Sequence, residues 1–315
     1  MVVTAELQAG HPKIPAIKWH GITWVNIERP TSREIGHLRE NFAFHPLALE
    51  DCVSRVQLPK IDEYDDFVLL LFHFPVFNKT TRVSQPSQVS IFIGADYVVT
   101  VHAGDLKPLV RLFQECREEQ RVREHVMGRG TGYLVYRILD RLVDYCFPIV
   151  NKVLSNVERV EDQVLKADTQ ETVRELSILR RDIIALHRII RPQVGVLQYL
   201  AHKRFTFMNE DLAAYFDDVV DHIQRIWAEL QDTKEVTEGL NETYMTLNVQ
   251  RTNEVVRVLT IVFTVMLPFM IFSGLYGMNV PLPFQNDPML FWAHFVISGV
   301  IAAVMLFLFR RRGWL

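Results

Sequence analysis

The chain has 315 residues, 49% hydrophobic and 23% charged, so it is long enough for two domains and a sizeable buried core. Its formal net charge is −3, and the balance is more negative still ahead of residue 258, because residues 258–309 hold Asp287 alone and the tail holds Arg310, Arg311 and Arg312. A mildly acidic front part lacks the basic footprint of a nucleic-acid binder, and Cys52, Cys116 and Cys146, odd in number and widely spaced, form neither a disulfide framework nor a zinc ribbon.

The opening stretch, MVVTAELQAGHPKIP, has no basic segment followed by an apolar one, so no cleavable signal is expected and the bulk of the chain is expected in a reducing cytoplasm. Strand signals follow at residues 22–27 (ITWVNI), 67–74 (FVLLLFHF), 89–93 (VSIFI) and 97–102 (YVVTVH), all rich in β-branched and aromatic residues. Gly94-Ala95-Asp96 reads as a hairpin turn, and Thr31 with Glu34 three residues on reads as a capping box that opens a short helix. Beyond residue 105 strand signals stop. Helical periodicity runs through 106–124, 131–168 and 170–200, then from 209 towards the C-terminus with no Pro and one Gly, Gly239, before residue 268. A helix over 209–276 is about 100 Å long, too long for the interior of a globular domain, and is expected as a stalk packed in a bundle.

Residues 258–278 contain no Asp, Glu, Lys, Arg or His, and residues 289–309 contain His294 alone of these. At 1.5 Å per residue each run makes roughly 32 Å of helix, enough for a bilayer core of about 30 Å. Arg251 and Arg257 precede the first run, Arg310–Arg312 follow the second, and the loop 279–288 has no Lys or Arg. The positive-inside rule then puts both termini in the cytoplasm and the loop outside, with Trp292 and Trp314 at the two interfaces.

The first run closes on Tyr276-Gly277-Met278-Asn279. With Pro268 inside it, a short loop, a second span and the tail Arg310-Arg311-Arg312-Gly313-Trp314-Leu315, this ending resembles the signature of CorA-type magnesium and cobalt transport proteins. Asn253-Glu254-Val255, His45-Pro46-Leu47 and Leu49-Glu50-Asp51 also look like segments of that family, so the resemblance covers essentially the whole chain. It implies an α+β fold assembled as a homopentameric funnel in the inner (plasma) membrane. The expected divisions are a cytoplasmic α/β domain at 1–125, a helical domain with the long stalk at 126–257, the first span at 258–278, an external loop at 279–288, the second span at 289–309 and a basic tail at 310–315.

The chemistry of the triplet is legible in its residues. Mg²⁺ gives up its water reluctantly, so a selectivity ring for it should offer neutral oxygens, and Asn279 supplies one while Gly277 and Met278 present backbone carbonyls. One Asn holds no ion by itself; a ring of them needs a symmetric oligomer, for which the resemblance implies a pentamer. The same Gly–Asn pair also suits a helix C-cap. If the first span lines a pore, the stripe facing it is Asn253, Val256, Thr260 or its neighbour Leu259, Phe263, Leu267, Met270 and Gly274, apolar rings that close by dewetting beyond a polar Asn253. The apolar members equally suit ordinary helix packing. Two departures from the family pattern stand out: the loop carries Asp287 in place of the usual Met-Pro-Glu segment, and Met270 stands where a hydroxyl is more familiar. A thioether there leaves Co²⁺, Ni²⁺ and Zn²⁺ open as further cargo.

In the resembled family, cytoplasmic Mg²⁺ bound between subunits holds the channel shut, and the matching positions are Glu50, Asp51, Asp140 and Asp218; each acid alone reads as a solvated surface charge. Enzyme motifs for nucleotide, phosphate, zinc-protease or hydrolase chemistry are absent, and His187, His202 and His222 have no paired ligands at zinc spacing. The function expected is a non-enzymatic divalent-cation channel bringing in Mg²⁺ under control of intracellular Mg²⁺. The alternatives are a proton-coupled Zn²⁺ transporter of similar build and a membrane-anchored cytoplasmic protein with no transport role.

Overall fold

The structure, a computed structural model, describes residues 14–54, 57–165, 170–203, 212–278 and 288–314. Contacts divide the chain into two compact units, Met1–Leu240 and Asn241–Leu315, and each is taken by itself.

The first unit opens with β1 (Ala16–Trp19) and β2 (Ile22–Glu28), joined through His20 and Gly21 at φ 43° and 83°. Positive φ at both central residues matches the right-handed twist of the flanking strands, which is why a glycine stands second. Next come α1 (Ser32–Asn41), α2 (Pro46–Val53), β3 (Lys60–Glu63), β4 (Val68–Asn78), β5 (Val83–Ile93) and β6 (Tyr97–His102). The capping box at α1 forms as expected: Glu34 accepts the Thr31 backbone N–H at 2.8 Å. The Gly94–Asp96 turn also forms, Gly94 N–H donating to the Tyr97 carbonyl at 2.9 Å.

The strands lie in the order β1-β2-β6-β5-β4-β3, parallel at β2–β6 and antiparallel at every other junction. Both faces are covered. On one, Val25, Ile27, Leu69, Leu71, Phe92, Val99 and Val101 pack with Leu38, Phe44, Ala48 and Leu49 of the α1–α2 region. On the other, Trp24 meets Phe113 edge to face at 5.0 Å. Burial of both faces explains why 67–74, interrupted at His73 alone, reads as an apolar run instead of an alternating one.

Two strands are longer than their sequence signals. Pro75 and Pro86 oppose each other in the β4–β5 ribbon, where β3 and β6 no longer pair with the outer edges. A missing N–H costs nothing on an unpaired edge, so the strands run through prolines that in sequence read as breakers.

Helices fill the rest: α3 (Lys107–Glu118), α4 (Gln120–Met127), α5 (Thr131–Asp144), α6 (Cys146–Leu165), α7 (Gln170–His202), α8 (Ala213–Tyr276) and α9 (Pro288–Arg311). The periodic segment 106–124 breaks at Glu119, which has extended φ and ψ of −108° and 117°. The segment 131–168 breaks at Tyr145, three residues before Pro148, whose ring cannot continue the ladder from α5. Periodicity survives each break because the apolar face continues across it. α8 runs unbroken from Ala213 through Pro268 to Tyr276. In the second unit, α8 and α9 meet through Phe269–Phe295, Phe272–His294 and Tyr276–Phe291, with ring centroids 5.9, 5.1 and 6.3 Å apart.

Candidate functional site

The residues expected to line a pore lie on α8. At 3.6 residues per turn, Ile261, Phe269, Phe272 and Tyr276 share one side of the helix; Phe269, Phe272 and Tyr276 touch α9, and Ile261 is buried. Asn253, Val256, Leu259, Thr260, Phe263, Leu267, Met270 and Gly274 fall on the opposite side, and Val256, Phe263 and Met270 are 54%, 60% and 60% exposed. The stripe is therefore continuous, apolar except at Asn253 and Thr260, and uncovered within one chain. Its one hydroxyl is spent locally, since Thr260 Oγ1 donates to the Val256 carbonyl at 2.7 Å. At the N-terminal end a cavity of about 470 Å³ is lined by Asn253, Val256, Arg257, Thr260 and Trp314 among others.

The helix ends at Tyr276, and Gly277 N–H still donates to the Ser273 carbonyl at 3.0 Å. Gly277 is not among the residues of positive φ, so the left-handed cap that Gly–Asn pairs often make is not formed at this glycine. What the position needs is space: a Cβ there would sit 3.2 Å from the Ser273 oxygen. Met278 is half exposed, and Asn279 and the loop to residue 287 lie outside the described residues.

The carboxylates expected to sense the ion separate into two places. Glu50 and Asp51 sit on α2, whose C-terminal carbonyls at Asp51 and Cys52 accept Gln88 Nε2 from β5 at 3.1 and 3.2 Å. Glu50 is exposed. Asp51 accepts Gln57 Nε2 and Lys60 Nζ, both at 2.7 Å, and Lys60 also reaches Asp62 at 2.6 Å. Burial of the Lys60 ammonium works against its charge, yet the hydrogen bonds to Asp51 and Asp62 hold its pKa above the usual lysine value.

Asp140 and Asp218 meet around a residue the sequence reading set aside. His222 Nδ1 is 3.2 Å from Asp144 Oδ1, and Nε2 is 3.9 Å from Asp218 Oδ1. Donor atoms of Asp140, Asp144 and His222 all lie within 4.8 Å of one another, a set able to hold a metal ion. Burial and the neighbouring Asp144 push the Asp140 carboxyl above its ordinary pKa, while Arg137 at 3.2 Å pulls it down. A protein-only environment that disfavours the Asp140 charge is one that a divalent cation relieves. The reading that His222 has no partner at ligand spacing is thus corrected: Asp140 and Asp144 reach it from α5, and Asp218 from one turn earlier on α8. The signal was present as two i,i+4 pairs, Asp140/Asp144 on α5 and Asp218/His222 on α8, which nothing in the sequence brings together.

Two helices long and apolar enough to cross a bilayer, behind a sheet-and-helix front part, define a two-span membrane protein. The sequence pattern of the CorA-like Mg²⁺ transporter protein family matches residues 19–311. The chain belongs to that family. YfjQ of Bacillus subtilis is 32% identical over 305 residues, covering 95% of this chain and 91% of that protein. The cobalt/magnesium transport protein CorA of Thermotoga maritima is 28% identical over 300 residues, covering 93% and 83%. In fold, the complete structure of the CorA magnesium transporter from Methanocaldococcus jannaschii superposes with a TM-score of 0.82 at 24% identity, covering 96% of this chain and 95% of that one.

Proposed function

We propose that this protein is a pentameric divalent-cation channel of the plasma membrane that admits Mg²⁺, and Co²⁺ in addition, under inhibition by cytoplasmic Mg²⁺. One observation carries it. The face of α8 opposite α9 is a continuous stripe from Asn253 to Gly274, apolar except at Asn253 and Thr260 but uncovered, and it leads to Gly277-Met278-Asn279. Copies of that stripe around an axis make a hydrophobic conduit that gates by dewetting, and Asn279 amide oxygens at its outer end hold a hydrated ion without stripping it. The arginines before the first span and after the second support an orientation with both termini in the cytoplasm. The Thermotoga relative, a cobalt/magnesium transport protein, supports the cargo.

Closure is assigned to the carboxylates. Mg²⁺ held at Asp140, Asp144 and Asp218, and at Glu50 and Asp51, favours the closed ring when it also binds a neighbouring subunit, because it then cancels repulsion between carboxylates of the two chains. Met270 in the stripe keeps Ni²⁺ and Zn²⁺ as test cargo.

The experiment is flux into proteoliposomes loaded with a metal-sensitive dye, with and without a pH gradient. Mg²⁺ entry that ignores the gradient and vanishes in Asn279→Ala is expected. Zn²⁺ entry that requires the gradient would identify a proton-coupled transporter instead, and absence of any flux would leave a membrane-anchored protein without transport.

A further inference from the structure

The loop between β4 and β5, together with the facing sides of α6 and α7, encloses a cleft of about 450 Å³ that the ion pathway does not use. That volume falls in the range of small-molecule sites. Lys79 and Arg82 line it from the loop, Lys152 and Arg159 from α6, and Glu175 and Asp182 from α7. Both acids are already engaged. Glu175 accepts two Arg82 nitrogens at 2.5 and 2.7 Å and has Arg159 Nη2 at 3.6 Å. Asp182, 5% exposed, accepts the Ser84 backbone N–H at 2.6 Å, and burial raises its pKa.

One carboxylate therefore serves two guanidiniums. The Lys152 ammonium lies 4.6 Å over the Phe77 ring, and Lys79 is exposed on the loop. Cations outnumber acids over an apolar floor of Phe77, Val160 and Leu179.

The loop is held in a conformation that arginine does not favour. Arg82 has φ 57°, in the left-handed region, and its N–H donates to the Asn78 carbonyl at 2.8 Å. Asn78 Oδ1 accepts the N–H groups of Thr80 and Thr81 at 2.9 and 3.2 Å, which fixes the loop from inside. Glycine is the residue this backbone suits; arginine brings a guanidinium to the rim of the cleft instead.

We propose that this cleft binds a polyphosphate-bearing small molecule, its phosphate oxygens held by Lys79, Lys152 and Arg159 and the remainder resting on Phe77 and Leu179. Polyphosphate is favoured over a single carboxylate because four cations, Lys79, Arg82, Lys152 and Arg159, surround one space that holds two acids, and this surplus matches several linked anionic oxygens.

The test uses the full-length protein in detergent, titrated calorimetrically with ATP and separately with tripolyphosphate, in divalent-free buffer at fixed ionic strength. Saturable binding at one site per chain is expected for at least one probe. Lys152→Gln and Arg159→Gln should each weaken it about tenfold, the loss expected for one charge-assisted contact. Both side chains are exposed, and unchanged thermal unfolding without ligand confirms that the variants fold. Lys234→Gln, an equal charge loss on α8, should bind as wild type. Tighter binding of ATP assigns a nucleotide, and equal binding assigns an inorganic polyphosphate. No saturable binding by the wild type, equal binding by wild type and both cleft variants, or equal weakening in Lys234→Gln each overturns the proposal.

Discussion

Asp140→Asn probes the proposed cation site on α5 and α8 without touching either apolar span. Donor atoms of Asp140 and Asp144 lie within 4.8 Å of each other. Two unit charges at about that distance repel by about 1 kcal/mol in water and by about 3 kcal/mol at an effective dielectric of 20. The Asp140 side chain is 15% exposed but that of Asp144 is 52% exposed, so solvent screens one partner and the lower half of that range applies. A bound Mg²⁺ removes this repulsion; in the asparagine variant there is little to remove, and an amide oxygen replaces a carboxylate ligand. With about 1.4 kcal/mol per decade, the Mg²⁺ concentration for half-closure should rise about tenfold. Flux from proteoliposomes and trypsin protection, each measured against Mg²⁺, read the shift independently. Asp218→Lys supplies a fixed cation beside His222 and should stay closed and protease-resistant without Mg²⁺. Superimposable curves for wild type, Asp140→Asn and Asp218→Lys would show that these acids are surface charges and that the ion is sensed elsewhere.

Gly277→Ala should lower Mg²⁺ uptake in a Mg²⁺-requiring growth assay while the protein still assembles, because its Cβ would sit 3.2 Å from the Ser273 oxygen and shift the turn that carries the proposed filter; normal growth would show that this turn does not shape the ion's path. Native mass spectrometry in detergent should show a pentamer, and a dimer as the sole species contradicts a pore built from α8. Asp182→Ala orphans the buried Ser84 N–H and should cost about 1–3 kcal/mol, read as a lower thermal midpoint. The Asp182 pKa is raised above its ordinary 3.8 in the folded state, so its contribution is full below that value and lost as pH rises through the folded value. Asp182→Asn, which keeps an acceptor oxygen, should therefore gain in midpoint relative to wild type between pH 4 and pH 7, and a constant difference would contradict the shift.

How far the chain could be read without its fold varies by element. The spans were legible because a bilayer demands about twenty consecutive apolar residues, a signal carried by composition alone. The four central strands were legible from β-branched and aromatic runs, while β1 and β3, four residues each, are too short to show a period. Pro75 and Pro86 hid the far ends of β4 and β5, since the unpaired edges that tolerate them exist only once the sheet is assembled.

Sequence by itself determined the two apolar spans, their orientation signals, the Gly277-Met278-Asn279 ending and the stripe on α8, because each depends on spacing along one helix or one contiguous run. Tertiary structure alone decided what meets across elements. It brought His222 to Asp144 and Asp140, gave Asp51 to Lys60, and set Lys152 and Arg159 of α6 beside the β4–β5 loop. Local periodicity specifies which face a residue takes, whereas the partner on that face depends on how separate helices and strands pack, and no distance along the chain encodes that.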